Sequence, residues 1–145
     1  MTVRVFGASR LPAGARRPRL IAAAVRAAVR RKPGELNVVF VDARGLRRLN
    51  RRFLRHDYDT DVIAFRYEES PKGADAPFGD IFISADQARR QAKELGHPLL
   101  TEVLTLAIHG ALHLAGYDDN SAAQRARMFK RQETLLRGLI GSSFR

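Results

Sequence analysis

The chain contains no cysteine. That excludes a disulfide framework and any thiolate metal site, and it fits a cytoplasmic protein. No apolar run approaches the roughly 20 residues needed to span a bilayer. Met1–Arg10 lacks the apolar core of a secretory signal. No internal repeat, low-complexity tract or interdomain linker interrupts the 145 residues, so a single domain over 1–145 is expected. Acidic residues are nearly missing from the first half. Residues 1–55 hold 15 Lys/Arg against only Glu35 and Asp42, whereas residues 56–145 hold 11 against 13 acids. The formal net charge of +11 therefore sits entirely in the first half. Such asymmetry points to a polyanionic partner, most often nucleic acid.

What is present reads as an α+β domain, with about four strands in one sheet and about five helices. Thr2–Phe6, Leu36–Val41, Asp61–Tyr67 and Gly79–Ser84 have strand patterns. Arg16–Arg31 has a helical one, with Leu20, Ala24, Val25, Ala28 and Val29 on one face and Arg19, Arg26 and Arg30 on another. Asp42 can cap a second helix running to about Leu54. Its apolar stripe is Leu46, Leu49 and Phe53, and Arg44, Arg48, Arg51 and Arg55 form a ridge along it. Glu68–Phe78 reads as a loop. Ser84 or Asp86 can cap a helix that Gly96 stops near Leu95. Pro98 begins a helix over Leu99–Leu114 that is apolar nearly all round and therefore buried. Ser121-Ala-Ala-Gln124 is a capping box for a last helix to about Leu136.

The chemistry concentrates in His109-Gly-Ala-Leu-His113-Leu-Ala-Gly116-Tyr-Asp-Asp119. Histidines at i and i+4 lie one turn apart on the same helical face, within reach of one ion. Gly116 breaks the helix, and the chain can turn back to present Asp119. The pattern parallels the metzincin H-E-x-x-H-x-x-G-x-x-H, with Asp in the third place. Three N/O ligands leave a fourth position for water, as catalytic zinc sites do. A lone buried histidine is usually a satisfied core residue. Two unpaired imidazoles on an apolar helix, however, carry a desolvation cost that a metal relieves. One zincin element is missing: Gly110 stands where the general-base glutamate belongs, so a peptidase of the usual kind lacks its proton acceptor.

These residues resemble the YbeY family of rRNA maturation factors. Leu49-Asn50, followed by Asp57 and Thr60-Asp61-Val62-Ile63-Ala64-Phe65, is similar to the family's second block, and Gly79-Asp80-Ile81 to its G-D-I strand. The resemblance covers about Leu36 to Arg137. It implies a zincin-like α+β fold and a single-strand-specific, zinc-dependent endoribonuclease. The implied roles are 3′-end maturation of small-subunit (16S) rRNA and ribosome quality control. It implies one zinc ion on His109, His113 and Asp119, with the two histidines acting in catalysis through the metal. The implied partners are rRNA and the small ribosomal subunit, with ribosomal proteins and an assembly GTPase as further candidates.

Two positions depart from the family. Its usual third ligand is His, where this chain has Asp119. Its functional arginine aligns with Leu54, leaving Arg55 beside it and Arg51 one turn back as candidate catalytic arginines. Arg26, Arg30, Arg44, Arg48, Arg51 and Arg55 form the expected RNA track, since arginine grips phosphate bidentately. Asp61 and Asp80 are candidates to orient a ligating histidine, or plain strand-edge carboxylates. Asp118 is the alternative third ligand. His56 is a candidate acid or base near the site. His97 has no expected chemical role. Tyr117 either stacks on a base or packs under its turn. Two other functions remain open: a ribosome-assembly factor with a structural metal and no catalysis, and a metallopeptidase-like hydrolase.

Overall fold

Alternating apolar positions set the strands. In the computed structural model, which describes residues 1–30, 32–54, 61–67 and 76–140, they are β1 (Thr2–Phe6), β2 (Glu35–Val41), β3 (Val62–Arg66) and β4 (Pro77–Ser84). The sheet order is β1-β2-β4-β3. The first three in that order are parallel, and β3 runs antiparallel to β4 on the edge. Leu36, Val38 and Phe40 of β2 and Ile81 and Ile83 of β4 are buried. Asn37 and Asp80 lie on the opposite face and hydrogen-bond to each other at 3.0 Å, as the period-2 pleat requires.

Among the described residues, five α-helices pack with this sheet. Helix α1 (Pro18–Val29) provides the crossover that joins parallel β1 and β2. It is shorter at both ends than its apolar pattern suggests. Pro18 takes the first helical turn, which suits its missing N–H. Arg16 instead folds back, donating from Nε and Nη2 to the Leu11 carbonyl at 3.1 and 2.9 Å. At the other end Arg30 leaves the helix with φ 53°.

Asp42 caps α2 (Ala43–Leu49), its carboxylate accepting the Gly45 N–H. The α-helix expected to reach Leu54 stops at Leu49 and continues as a wider π-helical turn over Asn50–Leu54. Regular α stepping ends there. As a result Leu46 is buried, but Phe53 is 57% exposed and meets Phe65 edge-on instead of joining the core.

Helix α3 (Ala85–Leu95) is capped by Ser84, whose Oγ accepts the Gln87 N–H at 3.1 Å. Asp86, the other candidate cap, accepts the Ala43 N–H at 2.9 Å and so ties α3 to the start of α2. Helix α4 (Leu99–Leu114) is buried on nearly every side, between the sheet, α1, α3 and α5. Helix α5 (Ala122–Ile140) outlasts its expected end near Leu136 and buries Met128, Gln132 and Leu135 on one stripe. Its capping box is shifted by one residue. Ser121 Oγ accepts the Gln124 N–H, but Gln124 Oε1 accepts from Asn120 N–H. Among the described residues, no helix is long and apolar enough to cross a membrane.

Two glycines let α4 lie close on the sheet. A Cβ on Gly110 would stand 2.9 Å from Ile81 Cγ2 and 3.4 Å from Val62 Cγ2. One on Gly79 would stand 2.6 Å from the Phe65 carbonyl oxygen and 3.1 Å from Leu114 Cδ1. Arg66, on the helix-facing side of β3, donates to the Leu114 carbonyl at 3.0 Å while its guanidinium lies 4.6 Å from the Phe78 ring centroid. A cation there satisfies an orphan carbonyl and suits the negative end of the helix.

Candidate metal centre

Helical spacing brings His109 and His113 together. Their Nε2 atoms lie 3.2 Å apart, with the rings nearly perpendicular at 81°. The turn that follows is a Schellman motif. The Tyr117 N–H reaches back to the Leu112 carbonyl at 3.0 Å, the Gly116 N–H to the His113 carbonyl at 3.1 Å, and Gly116 has φ 106°. That reversal carries Asp119 back beside the helix, with Oδ2 3.6 Å from His113 Nε2. Arg125 donates to the Asp119 carbonyl at 3.2 Å and anchors the far side of the turn. One donor atom from each of His109, His113 and Asp119 falls within 4.8 Å of the other two. Asp118 is not in this group; it lines a separate surface cavity with Gly116, Tyr117 and Arg127.

The donor set suits a small divalent ion. Tetrahedral ligands at about 2.0–2.1 Å from zinc stand roughly 3.3 Å apart. The observed 3.2 and 3.6 Å separations are close to that spacing. The exposure gradient also fits an open site, with both histidines half-buried and the Asp119 side chain 48% exposed.

His109 has a partner that the sequence pattern did not reveal. Its Nδ1 donates to Gln132 Oε1 at 3.0 Å, which turns Nε2 towards the cluster. Gln132 is buried on the α5 stripe between Met128 and Leu135. The available signal was a lone polar residue at i+4 within an apolar i, i+4, i+7 face. Among the described residues no corresponding acceptor reaches His113 Nδ1. Burial pushes the His109 pKa below its usual 6.5. The Gln132 contact opposes this, His113 adds to it, and the Asp61 and Asp119 charges oppose it.

The other candidates divide. Asp61 is close enough to act electrostatically on His109, and its carboxylate accepts from Gln91 Nε2 at 2.9 Å. Asp80 points to the other face of the sheet, where it accepts from Asn37 and Tyr67. That contact pushes the Tyr67 hydroxyl pKa up to about 12. His97 Nε2 hydrogen-bonds to the carboxyl group of buried Glu102 at 2.9 Å near the start of α4, a structural role its sequence position did not suggest. Tyr117 is half-buried and packs against the core. Arg26, Arg30, Arg44, Arg48 and Arg51 are exposed, and Arg48 and Arg51 line one cavity with Arg52 and Phe53. Arg55 and His56 lie outside the described residues.

Comparison with known proteins places this chain in a family. The family model described as "Endoribonuclease YbeY" matches residues 16–140. A protein named endoribonuclease YbeY from Elusimicrobium minutum is 44% identical over 132 residues, covering 88% of this chain and 92% of that one. Its namesake from Bacillus licheniformis is 41% identical over 119 residues, covering 75% of each chain. The solution structure of TM1509 from Thermotoga maritima superposes with a TM-score of 0.63 at 26% identity, over 97% of this chain and 90% of that one. The chain belongs to the YbeY endoribonuclease family.

Proposed function

We propose that the protein is a zinc-dependent, single-strand-specific endoribonuclease acting in 3′-end maturation of small-subunit (16S) rRNA and in ribosome quality control, in the cytoplasm. The observation that carries this reading is the convergence of one donor atom each from His109, His113 and Asp119 within 4.8 Å of one another. Those three residues would hold one zinc ion, which when bound supplies Lewis-acid activation of water. Gln132 keeps the His109 proton on Nδ1 and so leaves Nε2 free for the ion. The Gly116 turn sets the position of Asp119.

Arg26, Arg30, Arg44, Arg48 and Arg51 supply phosphate contacts, and no ion pair occupies Arg26, Arg30, Arg44 or Arg48 among the described residues. Arg55 would extend that track. The substrate partner is rRNA within the small ribosomal subunit. Tight packing of Gly110 against Ile81 and Val62 weighs against a peptidase, because a glutamate there would have to push the Ile81 side chain aside.

Incubating the purified protein with an rRNA precursor, with and without a chelator, tests the reading. Cleavage should vanish on chelation, return with zinc, and be lost in His109→Ala. A well-folded wild type that binds no zinc sinks it. So does cleavage that persists in zinc-free protein. Zinc-loaded protein that binds the precursor without cutting it would instead establish the assembly-factor reading, with the metal in a structural role.

A further inference from the structure

Beside the turn that presents Asp119 lies an open groove of about 970 Å³, where the C-terminal ends of α1 and α4 meet α5. Three cations line it, Arg30, Lys32 and Arg131, together with Val29, Ala115 and Tyr117. No acid lines it. None of the three cations has a carboxylate partner among the described residues. Arg131 is half-buried, which makes its lack of a counter-charge more costly than for an arginine in open water.

Arg30 stands in this groove through a backbone conformation that L residues rarely adopt, φ 53° and ψ −122°. It is the sole non-glycine residue with positive φ among those described. The strain ends α1 at the point where Arg30 and Lys32 join the groove, and strained backbone of this kind gathers at functional sites. Tyr117 is two residues from Asp119, at most roughly 7 Å of chain. The lining of the groove thus comes within two residues of Asp119 along the chain.

Resting on the nuclease reading above, we propose that this groove is a strand-holding subsite. It takes the phosphodiester backbone of single-stranded RNA flanking the scissile bond. Arg30, Lys32 and Arg131 grip successive phosphates, and Tyr117 offers an aromatic surface to a base. Clustered cations with no counter-charge beside an aromatic ring match a nucleic acid strand better than a neutral ligand.

Binding of a fluorescein-labelled single-stranded 12-mer RNA, followed by anisotropy between about 50 and 200 mM salt, tests this directly. Each phosphate contact on a single strand contributes roughly 0.7 to the slope of log K against log salt. The triple variant Arg30→Gln/Lys32→Gln/Arg131→Gln should lose about 2 from that slope. Its affinity deficit should then shrink roughly 20-fold across the salt range. A control with the same charge change elsewhere, Arg90→Gln/Lys93→Gln/Arg137→Gln, should keep most of the wild-type slope. Arg30→Gly removes one cation while relieving the backbone strain, so it stays folded, and it should lose roughly 0.7. A slope that the groove triple leaves unchanged, or that both triples lower equally, overturns the proposal. The two readings fail separately. Groove-dependent binding without cleavage sinks the nuclease and keeps the groove, and zinc-dependent cleavage with an unmoved slope does the reverse.

Discussion

The two ends of α4 use the same backbone device for opposite ends. Before the helix, Gly96 at φ 71° closes a Schellman turn in which the His97 N–H bonds the Ala92 carbonyl at 3.1 Å. His97 then seals onto Glu102 at 2.9 Å, with the carboxylate side chain only 5% exposed. After the helix, Gly116 at φ 106° closes a matching turn. There Asp119 remains 48% exposed and stands 3.6 Å from His113, so histidine and carboxylate stay apart. A His–carboxylate pair alone therefore does not mark a metal site. What distinguishes the second end is a further imidazole one turn back, held by its own partner, and an acid left in contact with solvent.

The largest effect should come from removing a proposed ligand. His113→Ala should weaken zinc binding by well over the 10–100-fold typical of an orienting partner, while His97→Ala should leave it unchanged. Competition with a chromogenic chelator measures both. Equal zinc affinity in the two variants would erase the distinction between the ends. Gln132→Leu comes next, with an expected loss of roughly 10–100-fold. Gln132→Glu keeps an acceptor for His109 Nδ1 and should recover most of that loss, an outcome that mere packing by residue 132 would not produce. The paired glycines sharpen the comparison further. Neither has any atom within 4 Å of where a Cβ would stand, so Gly96→Ala and Gly116→Ala differ little in steric terms. Gly96→Ala should cost about 1–2 kcal/mol through its forced left-handed backbone, and Gly116→Ala more, since φ 106° lies beyond the left-handed region open to L residues; Tm should fall by about 2–4 °C per kcal/mol. Zinc affinity should fall only in Gly116→Ala, because that turn alone positions Asp119.

Much of this contrast was legible in the sequence, and its gaps have physical causes. The i, i+4 histidines, the helix-ending Gly116 and the offset to Asp119 are local relations, fixed by helical pitch and one turn. Helix α4 has the boundaries its pattern suggests, Leu99 to Leu114, because Pro98 and Gly116 punctuate it chemically. The Gln132–His109 contact spans 23 residues and depends on how α5 lies against α4, which no local rule specifies. The π-helical turn after Leu49 was equally hidden. Its sequence keeps an α-helical apolar period through Phe53, yet Phe53 ends up 57% exposed beside Phe65. Arginines of α2 could be placed on a ridge by spacing. The groove built from Arg30, Lys32 and Arg131 could not, since it joins residues from distant parts of the chain.

The smallest expected effect is a pH dependence that separates the two ends in metal-free protein. Burial holds the His109 pKa below its usual 6.5 in the folded state, whereas the unfolded chain titrates near that value. Between the folded value and 6.5 the unfolded state binds more protons, so stability rises with pH across that window. The contribution is complete above pH 6.5 and is lost as pH falls through the folded pKa. Thermal melts of chelated wild type and His109→Gln should therefore converge or cross as pH drops from about 7 to 5. A difference between wild type and His109→Gln that stays constant across this range would mean His109 is not desolvated by its place on α4. The proton would then compete with zinc at that nitrogen as it does at an exposed histidine, and the two ends of the helix would differ only in the position of Asp119.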